Sequence, residues 1–173
     1  ISGGNYSVLG SSFSLNQSAY QGGGMAGINA SGSILDSNFT GNQNSNSNGA
    51  GALFLENSSP LIKRCNFTEN FTTANNYGGA IKLKNSSPNI SDSIFIRNRS
   101  QANSAGALYI DSASAPTFSR NEFQYNSAAQ FGGAIFVDSQ NLNMNGDLFL
   151  GNFANFGGGV ATQRESSNTC PSS

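Results

Sequence analysis

Read for its apolar positions alone, the chain repeats. A phenylalanine with an asparagine three residues later closes six successive units, Phe13/Asn16, Phe39/Asn42, Phe67/Asn70, Phe95/Asn98, Phe123/Asn126 and Phe149/Asn152, at spacings of 26, 28, 28, 28 and 26 residues. A small-residue pair followed by an aliphatic residue opens them: Gly23-Gly24-Met25, Gly51-Ala52-Leu53, Gly79-Ala80-Ile81, Gly106-Ala107-Leu108, Gly133-Ala134-Ile135 and Gly158-Gly159-Val160. Two marks that hold one phase along the chain indicate stacked units, each touching only its neighbours. Phe54/Asn57 and Phe118/Asn121 meet the same three-residue spacing off register, and in a chain this rich in asparagine they are read as coincidence.

The pattern inside a unit predicts three short strands. The first alternates apolar residues, as in Leu53/Leu55, Ile81/Leu83, Leu108/Ile110 and Ile135/Val137, the period of a half-buried strand. A turn follows, written Asn57-Ser-Ser-Pro60 and Asn85-Ser-Ser-Pro88, where proline's missing N–H is tolerated. The second strand carries Ile34, Ile62, Ile90, Phe118 or Met144, and the third carries the closing phenylalanine. Parallel strands repeating every 25 to 28 residues predict an all-β fold, a single-stranded parallel β-helix of about six coils, with three faces. Helical repeats are excluded because they need three-and-four apolar spacing and good helix formers, whereas these units are rich in Gly, Ser and Asn. Residues 1–160 form the expected repeat domain; 161–173 form a tail or the start of a further coil. The interval from opening glycine to closing phenylalanine is 16 residues in four units; the unit from Gly106 to Phe123 carries one more, near Ser112 to Pro116. After the asparagine, Gln43 to Asn48 and Arg99 to Ser104 read as a variable loop on one side of the stack.

Stacking turns each position into a column. The six phenylalanines form the expected aromatic centre of the core. The six asparagines form an inward ladder, because a buried amide must find partners or cost about 1–3 kcal/mol. Charged columns test the register: Asp36, Arg64, Asp92 and Arg120; Glu56, Lys84, Asp111 and Asp138; Glu69 and Arg97. Signs mostly alternate from coil to coil, as neighbouring strands require. Asp111 and Asp138 break the alternation and have no compensating partner in the sequence.

Composition narrows the function. A net charge of −1 with no histidine gives no electrostatic footprint for nucleic acid, and no apolar run is long enough to insert this segment in a membrane. The first residue is Ile1, without a leader, so the chain is read as processed or as part of something longer. Apolar residues that return at fixed positions, together with thirteen phenylalanines, argue for order despite the abundance of Ser, Asn and Gly. Cys65, two residues before Phe67 in a column shared with Ser37 and Ser93, is expected to be buried and inert; Cys170 is a candidate for a link to another chain.

The pairing of Gly-Gly-Ala-aliphatic with Phe-x-x-Asn, most literal at Gly78 to Ile81 and Gly132 to Ile135, resembles the repeat of the polymorphic outer-membrane proteins of chlamydiae. That resemblance covers Ser11 to Val160 and implies a right-handed parallel β-helix and, by analogy, adhesion at a cell surface. The chain departs from that family in carrying no translocator barrel and in its many eukaryotic-type glycan acceptors.

Ten Asn-x-Ser/Thr acceptors occur. Asn29, Asn57 and Asn85 share one outward column, Asn38 and Asn66 another, and with Asn5 and Asn89 these are the expected N-glycosylation sites. Asn16, Asn70 and Asn98 belong to the inward ladder and are expected to stay bare. No catalytic, cofactor-binding or metal-binding residues are identified: carboxylates are dispersed, and histidine, the usual activating base and zinc ligand, is absent. Covalent N-glycans are the only non-protein groups expected. The reading is a non-catalytic extracellular or cell-surface scaffold that stacks end to end with like chains into a filament. An adhesin for a receptor or glycan is the alternative, and a polysaccharide-active enzyme comes third.

Overall fold

The computed structural model describes residues 1–45, 48–73, 77–138 and 142–162, and among them every regular element is a strand. The chain winds as a right-handed parallel β-helix, with five turns from the first closing phenylalanine to the sixth. All strand pairs are parallel and join a strand to its equivalent in the next coil.

Four sheets run the length of the stack, where the sequence pattern predicted three. The opening sheet holds Met25–Ile28, Leu53–Glu56, Ile81–Lys84, Leu108–Ile110, Ile135–Val137 and Val160–Thr162. The isoleucine sheet begins at Asn5–Leu9 and continues through Ser31–Leu35, Leu61–Lys63, Asn89–Ser91, Thr117–Ser119 and Asn143–Asn145. The phenylalanine sheet holds Ser12–Ser14, Asn38–Thr40, Asn66–Thr68, Ile94–Ile96, Glu122–Gln124 and Leu148–Leu150. The fourth, which we call the short sheet, consists of the two-residue strands Gln17–Ser18, Gln43–Asn44, Phe71–Thr72, Arg99–Ser100 and Ser127–Ala128. The segment after each asparagine, read from sequence as loop, therefore starts as a strand; two residues are too few to show a period. Val160–Thr162 pairs with Ile135–Val137, so the strand runs past the expected boundary at 160. Cys170 and the rest of 163–173 lie outside the described residues, as do Asn46 and Ser47 of the expected loop.

The core fills the space between the sheets. Phe39, Phe67, Phe95 and Phe123 are fully buried, with Ile34, Ile62 and Ile90 from one side and Leu53, Leu55, Ile81, Leu83 and Leu108 from another. Burying one such side chain contributes about 1.5–3 kcal/mol. The six rings lie one above another, with centroids 4.6 Å apart at the first step and 4.8 Å at the other four and planes within 11° of parallel. That separation is the strand spacing itself. Phe13 and Phe149, at the two ends of the column, are half-buried.

The opening glycines owe their place to close approach. A Cβ on Gly79 would lie 2.1 Å from the Gly106 carbonyl oxygen, and Gly51 and Gly106 meet the next coil in the same way. A side chain there would force neighbouring coils apart.

Candidate functional site: corner ladders and outer grooves

The corners are built by one device. A residue in the left-handed region turns the chain, and the next residue points its side chain inward, a hydrogen-bonding one at every such corner named here but Ala30. Leu15, Gly41, Glu69, Arg97, Tyr125 and Gly151 have φ between 52° and 62° and precede the six ladder asparagines. Asp36, Arg64, Asp92 and Arg120, at 51–55°, precede Ser37, Cys65, Ser93 and Asn121. Asn29, Asn57 and Asn85, at 47–50°, precede Ala30, Ser58 and Ser86. Left-handed geometry costs a non-glycine residue roughly 1–2 kcal/mol, and the ladder that follows offsets it.

The asparagine ladder uses its full hydrogen-bonding capacity. Asn70 Oδ1 accepts from the backbone N–H of Asn42 at 3.0 Å and from Asn42 Nδ2 at 2.9 Å, while Asn70 Nδ2 donates to the Phe39 carbonyl at 2.8 Å and to Asn98 Oδ1 at 3.0 Å. The pattern repeats at Asn98 and Asn126 and ends on Asn152, half-buried, whose Nδ2 donates to the Phe123 carbonyl. Asn16 is exposed at the start of the ladder, yet its Nδ2 still donates to Asn42 Oδ1 at 2.9 Å.

Two further ladders run along other corners, one of them through the column of Ser37, Cys65 and Ser93. In one, Ser11, Cys65 and Ser93 donate their backbone N–H groups to Ser37 Oγ, Ser93 Oγ and Asn121 Oδ1, and Asn121 donates to Asp147 Oδ1. Asn121, set aside as coincidence, is fully buried and also donates to the Ile90 carbonyl at 2.9 Å. Cys65 is buried and free, and its thiol donates to the Ile34 and Lys63 carbonyls; burial pushes its pKa up. In the other, Ala30, Ser58 and Ser86 donate backbone N–H to Ser58, Ser86 and Ser114 Oγ.

The charged columns pair between coils. Arg64 grips Asp36 with two bonds of 2.6 and 2.8 Å, and Arg120 holds Asp92 with bonds of 2.7 and 3.0 Å. Each guanidinium holds its carboxyl below the usual carboxylate range. Lys84 meets Glu56 at 2.6 Å, and Arg97 stands 4.0 Å from Glu69. Asp111, left without a partner in the sequence, gains two: the extra residue makes a turn in which its carboxylate accepts from Ser114 Oγ and from the backbone N–H of Asn85.

Asn5, Asn29, Asn38, Asn57, Asn66, Asn85 and Asn89 are all exposed. Their columns form surface amide chains, Asn57 Nδ2 to Asn29 Oδ1 at 3.0 Å, Asn85 Nδ2 to Asn57 Oδ1 at 2.6 Å and Asn66 Nδ2 to Asn38 Oδ1 at 2.9 Å. Asn70 and Asn98 are buried with both amide hydrogens engaged.

Several concavities mark the outer surface among the described residues, and two of them bear on function. The larger, about 540 Å³, follows the elbow between the phenylalanine and short sheets and is lined by Glu69, Phe71, Arg97, Arg99, Tyr125 and Ser127. Arg99 is exposed and, among the described residues, has no carboxylate within 4 Å. The smaller, about 220 Å³, lies over the outer face of the opening sheet and is walled by aromatic side chains with Asp138 at its edge. Among the described residues, no three His, Cys, Asp or Glu side chains gather as metal ligands, and no helix is long and apolar enough to cross a membrane.

The family model described as a right-handed β-helix region matches residues 2–142. No curated protein and no solved structure matches the chain.

Proposed function

We propose that this chain, which belongs to the right-handed β-helix family, works as a non-catalytic extracellular or cell-surface scaffold: a stiff, N-glycosylated rod able to stack with like chains. The observation that carries the reading is the continuous asparagine ladder, in which each interior amide spends every donor and acceptor on the coils above and below. Charged columns spend their groups in the same way. A side chain saturated by neighbouring coils has little left for a substrate, whereas resistance to bending and unwinding follows from such axial bonding. Exposure of the seven candidate acceptor asparagines is compatible with a sugar coat. Imaging of the purified protein by negative stain tests the reading: rods that associate end to end support it, and dispersed particles with no axial association count against assembly.

The elbow groove favours a second reading, adhesion. Phe71 and Tyr125 offer rings, and Arg97 and Arg99 offer donors, in one open channel along the axis. This matches what the chlamydial resemblance implies. An acidic glycan or receptor segment suits that chemistry. Glycan-array binding that disappears on Arg99→Ala supports adhesion; an unchanged array profile removes the elbow from consideration.

A further inference from the structure

The outward column of the opening sheet is unusual for a face turned away from the core. Phe54, Lys82, Tyr109 and Phe136 stand in register, and Phe54, Lys82 and Phe136 are buried. They are covered from outside by Tyr77, whose ring lies 4.5 Å from Tyr109, and by Phe131, 5.8 Å from Phe136. A second aromatic layer therefore lies outside the helix. Within it the chain stores an ammonium of its own: Lys82 Nζ is 5.6 Å from the Tyr77 centroid and 5.5 Å from that of Tyr109.

One coil further on, the same layer opens into the 220 Å³ pocket. Tyr77, Tyr109, Phe131 and Phe136 wall it, Asn103, Ser104 and Gln130 line it, and Asp138 supplies its one charge. Four acidic residues elsewhere, Asp36, Glu56, Glu69 and Asp92, have a cation within 4 Å. Asp138 has none among the described residues, and its side chain accepts only a long bond, 3.4 Å, from Tyr109 Oη. The pocket shares Tyr77 and Tyr109 with the Lys82 site and adds Phe131, Phe136 and, in Asp138, a negative charge with no cation of the described residues within 4 Å. Aromatic faces attract cations through their quadrupole, and a carboxylate without a cationic partner adds the counter-charge. The volume is below that of pockets that hold drug-sized ligands and suits a single head group.

We propose that this pocket binds an organic ammonium group, held by Asp138 against Tyr109, Phe131 and Phe136. The group comes either from a small free amine or from a lysine side chain of a partner, and the chemistry is the same. The inference stands apart from the scaffold reading, because neither the axial ladders nor the elbow groove contributes a residue to it.

Titration of the intact, isotopically labelled protein followed by NMR tests the proposal, with three probes: choline chloride, its neutral isostere 3,3-dimethylbutan-1-ol, and Nα-acetyl-lysine N-methylamide. We expect saturable shifts at Tyr109 and Phe136 with an ammonium probe and at least roughly tenfold weaker binding of the neutral isostere. Asp138→Asn is isosteric and lies outside the core; it is expected to weaken ammonium binding by a similar factor while leaving the remaining spectrum in place. Binding of the lysine derivative identifies a partner's side chain as the source, and binding of choline alone identifies a small molecule. No saturable shift with either ammonium, or equal binding of the neutral isostere, overturns the proposal without recourse to the variant. Unchanged binding in Asp138→Asn also overturns it.

Discussion

Asn70 Nδ2 donates to Asn98 Oδ1 at 3.0 Å in a site sealed from water, and its second hydrogen reaches back to the Phe39 carbonyl at 2.8 Å. One side chain thereby ties three coils. In Asn98→Ala the backbone N–H and the amide of Asn70 both lose their acceptor, and the Phe67 carbonyl and Asn126 Oδ1 lose a donor. Each buried group left unpaired costs about 1–3 kcal/mol, so a loss of roughly 3 kcal/mol or more is expected in urea unfolding. Asn16→Ala, at the exposed end, is expected to lose less than about 1 kcal/mol.

Gly79→Ala separates close approach from backbone freedom. The added methyl meets the Gly106 carbonyl at 2.1 Å, and the surrounding backbone is fixed by its ladder bonds. A loss of roughly 3 kcal/mol or more is expected. At Gly10 a methyl meets open space and only the left-handed φ of 56° opposes it, so Gly10→Ala is expected to cost about 1–2 kcal/mol. Paired unfolding curves check the difference.

Lys82 gives stability an alkaline slope. Burial pulls its pKa from 10.5 to about 8. Between those values the unfolded chain binds more protons than the folded one, so stability rises with pH. Burial pushes Tyr6 from 10.0 up to about 12 and raises Tyr109 as well, so these residues favour the folded state less as pH climbs past 10. Urea midpoints at pH 7 and 9.5 are expected to show a gain on the order of 1–2 kcal/mol from Lys82, and Lys82→Met is expected to flatten it. On the acid side, Asp36 and Asp92 have lowered pKa values, so their contribution is present above the unfolded carboxylate range and is lost as pH falls through the folded values.

Sugar attachment replaces one hydrogen of an asparagine amide. An exposed amide such as Asn57 gives one hydrogen to Asn29 and keeps another, whereas Asn70 and Asn98 have both engaged inside the stack. Expressed in a glycosylating host, folded protein is expected to carry glycan in the columns of Asn29/Asn57/Asn85 and Asn38/Asn66 and none at Asn70 or Asn98. Site-resolved glycopeptide mass spectrometry makes the comparison. Sugar on Asn70 in folded material contradicts the assignment.

The fold was legible because a solenoid converts three-dimensional neighbours into sequence period: Phe39, Phe67 and Phe95 touch in space and also recur every 28 residues. Features outside that translation were hidden. The short sheet is too brief to alternate. Left-handed corners at Leu15, Arg64 and Tyr125 carry no glycine to signal them. Asn121 is visible as the partner of Phe118, but it lies off register in an asparagine-rich chain, and its ladder of Ser, Cys, Asn and Asp shares a hydrogen-bonding role with no shared residue type. Asp111 found its partners through a one-residue insertion that altered the turn. The outer aromatic layer draws Tyr77 and Phe131 from connecting segments that follow no column, so no period announces it.

The central claim is that sequence period is spatial rise. Spin labels on one outward column of the phenylalanine sheet measure it, in protein with Cys65→Ser and Cys170→Ser, serine being the natural occupant on either side of Cys65. With one label at Ser14→Cys and the second at Ile96, Gln124 or Leu150 replaced by cysteine, pulsed dipolar distances are expected near about 14, 19 and 24 Å, one strand spacing of about 4.8 Å per coil. Equal increments across coils of unequal length support the stack; distances that fail to grow with coil number contradict it.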